Sequence, residues 1–328
     1  MKNSLSGKQI LITGGAGYLA NNLLKLLADI ECKVIRLDRP GTTFEMVSHP
    51  QTENVTADIR EPDVWEQILK NVDVVFHFAA QTSVYVAMEN PMADFQINVL
   101  PMLRMIEVCR RQVWKPIILF SGTATEVGLT SKWPVDETAY EDPVSIYDIH
   151  KLSAEKYLKH YVREGFVYGA VLRLANVYGP GPRSSSGDRG VLNLMMRKAI
   201  QGEPLIIYGD GCFVRDYVFV EDVAQAFVHT AINIGNANGK HYLVGSGQGH
   251  TLAEAINLVA DRAALKIGRR PQVLHVEPPR TISSIESRNF VANTARLTEA
   301  TGWRPRVDLV LGIDRTLDYF LHKRMETT

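Results

Sequence analysis

Residues 9–20 read Gln9-Ile10-Leu11-Ile12-Thr13-Gly14-Gly15-Ala16-Gly17-Tyr18-Leu19-Ala20. A short apolar strand over Gln9–Ile12 runs into a glycine loop, and a helical pattern over Tyr18–Ala28 follows. The loop contains Gly15-x-Gly17-x-x-Ala20, the dinucleotide fingerprint with Ala in its third place. Glycines there let backbone N–H groups approach a pyrophosphate, and the helix N-terminus adds partial positive charge. Gly14 and the Gly15–Ala16 pair make the loop one residue longer than the plain pattern. The next strand, Val34–Asp38, ends on an acid 18 residues after Ala20. A carboxylate in that place takes both ribose hydroxyls and repels a 2′-phosphate, which favours NAD over NADP. Arg39 runs against that preference, since an arginine beside the acid tolerates a phosphate. A tight turn with no ligand does not account for the acid.

Outward from the loop, strand and helix patterns alternate. Val55–Ala57 reads as a short strand, with a helix opening at Glu61-Pro62. Val72–Phe78 is apolar and β-rich, and Pro91 starts a helical pattern that runs to about Gln112. Ile117–Ser121 and Ala170–Leu174 are further strands. This alternation predicts an α/β fold: a Rossmann-type doubly wound parallel sheet covered on both faces. After Gly179 the pattern changes. GPGPRSSSGDRG, residues 179–190, is rich in turn formers and reads as a mobile loop. Helical patterns near Val191–Gln201, Val223–Ala231 and Leu252–Ala264 then mix with short strands at Leu205–Tyr208, Tyr217–Val220 and His241–Val244. The expected organisation is an NAD-binding domain over 1–180, also receiving 212–245. A smaller mixed α+β substrate-binding domain is expected from 181–211 and 246–328.

The run SIYDIHKLSAEKYLKHY holds Tyr147 and Lys151, four residues apart with no Pro or Gly between them. Residues at that spacing share a helix face, so a phenol and an ammonium are aimed at one point. An ordinary tyrosine has a pKa of about 10 and is a poor base at neutral pH. A neighbouring cation stabilises the phenolate and allows proton exchange with a substrate hydroxyl. Taken alone, Tyr-x-x-x-Lys is common on amphipathic helices.

The gross numbers set limits. Of 328 residues, 45% are hydrophobic and 22% charged, with Lys+Arg and Asp+Glu both at 36. That balance argues against a nucleic-acid or anionic-membrane partner. Cys32, Cys109 and Cys212 are odd in number and far apart, which fits idle thiols in a reducing compartment. No metal-ligand spacing is present, no apolar stretch approaches the ~20 residues needed to span a membrane, and the N-terminus reads as a strand. A cytoplasmic location is expected.

With the loop, Asp38 and the Tyr147/Lys151 pair in place, the chain resembles the extended short-chain dehydrogenase/reductase family. Within it, the match is to the nucleotide-sugar epimerases and dehydratases. The motifs that carry the resemblance span nearly the whole length. They are Asp58-Ile59, His77-Phe78-Ala79-Ala80, Asn98-Val99, Phe120-Ser121-Gly122-Thr123 and Arg173-Leu174-Ala175-Asn176-Val177-Tyr178-Gly179-Pro180. Tyr208-Gly209-Asp210-Gly211, Arg215-Asp216-Tyr217-Val218, Glu221-Asp222-Val223-Ala224 and Gly302-Trp303-x-Pro305 complete the set.

The resemblance implies roles. Gly14, Gly15, Gly17, Tyr18, Leu19, Asp38, Asp58, Ile59, Phe78, Ala79, Ala80, Asn98, Leu174 and Val177 would hold NAD, together with Tyr147 and Lys151. Thr123, Tyr147 and Lys151 would be the catalytic set. Arg215 would pair with a substrate diphosphate, with Arg280 or Arg288 sharing that work. Asn176, Asn193 and Glu126 would contact substrate. Asn98 has a competing reading as a bridge between backbone groups. Family dehydratases place an Asp-Glu pair directly after the catalytic Thr, whereas Ala124-Thr125 stand here and Glu126 comes one position late. The implied activity is an NAD-dependent C4 epimerase of a nucleotide-diphosphate sugar. A 4-ketoreductase or 4,6-dehydratase on the same scaffold is the alternative, and a non-catalytic dinucleotide-binding protein a further one. Two helical patterns, about Met92–Gln112 and Ile146–Glu164, form the dimer interface in many relatives, so a homodimer is expected.

Overall fold

Alternating apolar runs give the chain its strands, which in sequence order are β1 (Gln9–Thr13), β2 (Lys33–Asp38), β3 (Thr52–Thr56), β4 (Val74–His77), β5 (Ile117–Thr123), β6 (Tyr168–Leu174), β7 (Asn176–Tyr178), β8 (Leu205–Tyr208), β9 (Val214–Phe219), β10 (His241–Val244), β11 (Gly249–Thr251) and β12 (Val273–Val276). They are seen in a computed structural model that describes residues 4–46, 49, 51–112, 114–182, 190–278 and 283–326, with side chains through 323. Among the described residues, seven strands form one sheet in the order β10-β6-β5-β4-β1-β2-β3. Every neighbouring pair in it is parallel. Strand order reverses between β1 and β4, and the crevice beyond the strand C-termini at such a point is where doubly wound sheets bind ligands.

Period-two alternation explains the two faces of the sheet. Ile10 and Ile12 of β1 point into a core with Leu23, Leu24, Phe227 and Trp303. Leu11 points the other way, into a core with Trp65, Met102, Ile106 and Leu158. Helix Tyr18–Leu27 therefore covers one face, and helices Leu100–Arg111 and Ile146–Arg163 the other.

A separate core lies beside the sheet. It joins helices Val191–Gln201, Leu252–Ile267 and Leu309–Glu326 to β8, with Tyr217 and Phe219 of β9. The small sheet β12-β8 packs within it, and the sheet β11-β9-β7 connects it to the rest through β7, which follows β6. The chain also returns to the main sheet: β10 pairs with β6. The segment after helix Ala295–Thr301 is pinned to helix Val220–Ile232. There the Asp222 carboxylate accepts the N–H groups of Arg306 and Val307, each at 3.0 Å, and Trp303 Nε1 donates to the Asp222 carbonyl at 2.9 Å.

The expected helix from Pro91 to Gln112 is two helices, Pro91–Asn98 and Leu100–Arg111. Pro101 lacks the N–H that would bond one turn back, and its ring crowds the preceding turn. Val99, at the junction, has φ −114° and ψ −53°, and its N–H still bonds to the Phe95 carbonyl at 2.9 Å. Helix Val220–Ile232 also begins earlier than expected, taking Val220 from the strand. Of the glycine- and serine-rich stretch, 183–189 lie outside the described residues. Trp303 is 1% exposed. Trp303→Ala is expected to lower the unfolding free energy by about 3–5 kcal/mol, read from urea denaturation. A loss under about 1 kcal/mol would show that the pin is dispensable.

Candidate active site

The glycine loop is squeezed between strand ends. Gly14 has φ +66°, and a Cβ there would lie 2.9 Å from the Ala79 nitrogen. A Cβ on Gly15 would lie 2.7 Å from the Cβ of Arg36. The Asp38 carboxylate closes over the loop, accepting the N–H of Ala16 at 3.0 Å and of Arg39 at 2.8 Å. Helix Tyr18–Leu27 starts from Gly17 with no side-chain cap and no acid in its first turn. Its first N–H groups thus keep their positive end for an anion. A cradle that any side chain would fill, an open helix N-terminus and an acid at the ribose position fit a dinucleotide.

Arg36 is a component that sequence reasoning missed. It is buried, and it donates to the Gly15 carbonyl at 2.8 Å, the Asn21 side-chain oxygen at 3.0 Å and the Glu45 carbonyl at 3.0 Å. The signal was an arginine inside the apolar strand KVIRLD. The other cofactor candidates surround the same strand ends. Tyr18 lies under Gly179 and Gly181, and burial pushes its phenol pKa up. Leu19, Phe78, Leu174 and Val177 pack against the first core. Asp58 forks with Arg60 at 2.6 Å, and that hydrogen bond holds its carboxyl below the usual range. Ile59 accepts the Trp65 indole N–H at 2.8 Å. Ala79 donates its N–H to the Thr13 hydroxyl at 3.2 Å, and Ala80 follows in the same connection. Asn98 donates to the Gln81 carbonyl and to the Asp94 carboxylate, both at 2.9 Å.

β5 ends at Thr123, which caps a short 3-10 turn, Ala124–Val127. The Thr123 hydroxyl lies 2.7 Å from that of Thr125, and Thr125 donates to the Asp148 carboxylate. Helix Ile146–Arg163 starts from Ser145, so Tyr147, Asp148 and Lys151 all lie in its first two turns. Tyr147 is 8% exposed and packs with Val84, Ala87 and Ile285. Lys151 is 2% exposed, with its Nζ 4.1 Å from the centre of the Phe120 ring. Burial brings the Lys151 pKa down to about 8, against the pull of Glu126, Asp94 and Glu155.

The expectation that Glu126 contacts substrate is corrected. Glu126 is fully buried, accepts the Thr123 N–H at 3.0 Å and meets Arg173 Nε at 2.8 Å. The same guanidinium also binds Glu155 at 2.7 Å and Glu141. Glu126 and Glu155 are both buried against that guanidinium, whereas Glu141 is partly exposed and also pairs with Lys156. Burial and then the Glu155 charge push the Glu126 carboxyl well up. Burial would raise Glu155 as well, but the Arg173 hydrogen bonds and charge bring it down to about 2. Lys159 also pairs with Glu155.

The structure brings Asn176, Arg215 and Arg288 together. Arg288 Nη2 donates to the Asn176 side-chain oxygen at 3.4 Å, and Arg215 donates to the carbonyls of Arg288 and Glu286. Asn193 uses its amide on the backbone of Gly179, accepting at 3.0 Å and donating at 3.1 Å. Arg280 lies outside the described residues.

A doubly wound sheet, a glycine cradle with its acid, and a Tyr-x-x-x-Lys helix beside the Thr123 strand end define the extended short-chain dehydrogenase/reductase class. The profile of the NAD dependent epimerase/dehydratase family matches residues 10–245. The chain belongs to that family, in its nucleotide-sugar epimerase group, and its cofactor is NAD. A Methanocaldococcus jannaschii protein that carries the provisional name UDP-glucose 4-epimerase is 33% identical over 312 residues, 94% of this chain and 97% of its own. The UDP-glucose 4-epimerase of Thermotoga maritima, solved with UDP-glucose, superposes with a TM-score of 0.86 at 29% identity, covering 96% of this chain and 99% of that one. The UDP-glucose 4-epimerase of Thermus thermophilus, solved with NAD, gives 0.82 at 30% identity, covering 95% and 99%.

The carboxylate cluster generates a pH-dependent prediction. Glu155 has a depressed pKa, so its contribution is present above the ordinary carboxyl value of 4.5 and is lost as pH falls towards about 2. Glu155→Gln is expected to cost about 3–5 kcal/mol at pH 7, a deficit that shrinks through that window. Glu126→Gln, at a carboxyl whose ionised form burial disfavours, is expected to cost less, under about 1 kcal/mol. Equal costs in denaturation at pH 7 would contradict this division.

Proposed function

We propose that the protein interconverts C4 epimers of a nucleoside-diphosphate hexose through a 4-keto intermediate. One observation carries the reading. Thr123, at the end of β5, is tied through Thr125 to Asp148, in the first turn of the helix that carries Tyr147 and Lys151. In this reading Tyr147 takes the proton of the sugar 4-hydroxyl, and Thr123 hydrogen-bonds the same oxygen. The Lys151 ammonium, stripped of water, stabilises the phenolate and binds the nicotinamide ribose. NAD, when bound, supplies a reversible acceptor for the hydrogen on C4. Arg215 and Arg288 grip the diphosphate, a match for guanidinium forks, and Asn176 sits between them and the sugar. The relatives named for UDP-glucose make UDP-hexoses the first substrates to test.

Water elimination is disfavoured. It needs an acid facing the sugar, Ala124 and Thr125 stand where dehydratases place theirs, and Glu126 is buried against Arg173. The reading also includes a division of labour. NAD is held by 1–180 with 212–245, and substrate is covered by 181–211 and 246–328. A homodimer belongs to it too, supported by exposed Met92, Ile149 and Tyr157 on helices Pro91–Asn98 and Ile146–Arg163. No helix is long and apolar enough to cross a membrane among the described residues.

The wild-type protein with UDP-, dTDP-, CDP- and GDP-hexoses is expected to give C4-inverted product by NMR, with no net rise or fall at 340 nm. Stoichiometric consumption of added NADH would indicate a ketoreductase instead. Tyr147→Phe is expected to retain NAD and lose about 10²–10⁴-fold in turnover. Near-normal turnover would remove Tyr147 from the mechanism.

A further inference from the structure

We propose that Thr125 and Asp148 are positioning residues that set the direction of the Thr123 hydroxyl hydrogen. The proposal rests on the epimerase reading for its consequence, though its geometry stands on the chain itself.

Asp148 is fully buried in the first turn of helix Ile146–Arg163. A carboxylate there is favoured by the positive end of the helix. Ser145 completes its surroundings, with Ser145 Oγ donating to Asp148 Oδ2 at 2.6 Å and accepting the Asp148 N–H at 3.1 Å. The remaining carboxylate oxygen, Oδ1, accepts from the Thr125 hydroxyl. A hydroxyl has one hydrogen and two lone pairs. Since Thr125 spends its hydrogen on Asp148, the 2.7 Å contact between Thr125 and Thr123 is one in which Thr123 donates. Thr123 Oγ1 in turn accepts the Thr125 N–H at 3.3 Å.

The Thr123 hydrogen is thereby parked inward, and one lone pair is left for the cleft. In the resting protein Thr123 is an acceptor, suited to the hydrogen of a sugar alcohol and not to a ketone oxygen. For proton transfer the sugar hydrogen swings from the Thr123 lone pair to Tyr147, and the Thr123 hydrogen, which stays on Thr123, turns outward to the oxygen that has gained charge. The negative charge on Asp148 polarises Thr125 and decides which of these two positions is the resting one. The carboxylate comes from the helix and acts through two hydroxyls, in a loop region whose own acid is missing at 124 and 125.

Two independent measurements test this. Thr125→Val keeps the shape and removes the hydroxyl, and it should lower kcat about 10–100-fold with KM changed less than about threefold. Thr125→Ser restores the hydroxyl and should stay within about threefold of wild type. Asp148→Asn should resemble Thr125→Val, and the double variant should be no worse than either, as for groups acting in one chain. Equal activity of the Val and Ser variants, or additive losses, would overturn the relay. A neutron structure of the deuterated holoenzyme should place the Thr123 deuteron towards Thr125 and the Thr125 deuteron towards Asp148. A Thr123 deuteron facing the cleft, or a deuteron on the Asp148 carboxyl, would overturn the proposal. If the wild type turns over no sugar, the functional reading fails, and the neutron map still decides the hydroxyl geometry.

Discussion

The ammonium of Lys151 is kept out of water, and much of the site is arranged around that constraint. An unpaired buried cation costs several kcal/mol. Here the Phe120 ring lies under it, and Glu126, Asp94 and Glu155 surround it at longer range. A cation held this way gains from a phenolate beside it, and the helix places Tyr147 one turn away. Two of these acids, Glu126 and Glu155, are anchored by Arg173, which rises from β6 into the space behind the Thr123 turn, while Asp94 pairs with His150. Charge balance in that buried cluster, the position of Thr123 and the state of Lys151 are therefore one problem. Moving a proton at Glu126 changes the field on the ammonium, and the bond that the Thr123 N–H donates to Glu126 couples the cluster to the end of β5.

The cofactor half follows a different logic, in which shape precedes charge. Gly14 and Gly15 are required by the neighbouring Ala79 and Arg36 before any ligand is considered. Arg36 then turns its guanidinium onto the Gly15 carbonyl, while the loop N–H groups of Gly15, Ala16 and Gly17 donate to Leu37, Asp38 and Gly14. Burial lowers the pKa of Arg36 without removing its charge. That buried positive charge lies against the glycine loop, and Asp38 and Glu45 partly offset it.

Much of this was legible in the sequence, because local patterns carried it. The glycine loop, Asp38, the alternating strands and the Tyr147/Lys151 spacing each depend on residues within one or two elements. The break at Val99 was legible too, through Pro101, but the apolar periodicity on both sides masked it. What escaped was long-range. Nothing near Glu126 in the chain announces Arg173 or Glu155, so its proximity to Thr123 suggested substrate contact where the fold supplies an ion pair. Arg36 reads as a misplaced charge until the loop is folded over it. Asp148 was an odd residue between Tyr147 and Lys151, and its meaning appears only when the turn after β5 brings Thr125 against it.

The central claim is that chemistry occurs at C4 and that the hydrogen removed from it returns without meeting water. The most direct measurement is epimerisation of a UDP-hexose deuterated at C4, followed by NMR and mass spectrometry of the product. The account predicts full retention of deuterium at C4 of both epimers, and no deuterium uptake at any ring carbon when unlabelled sugar reacts in D2O. Loss of the C4 label, or solvent deuterium at C3 or C5, would contradict it.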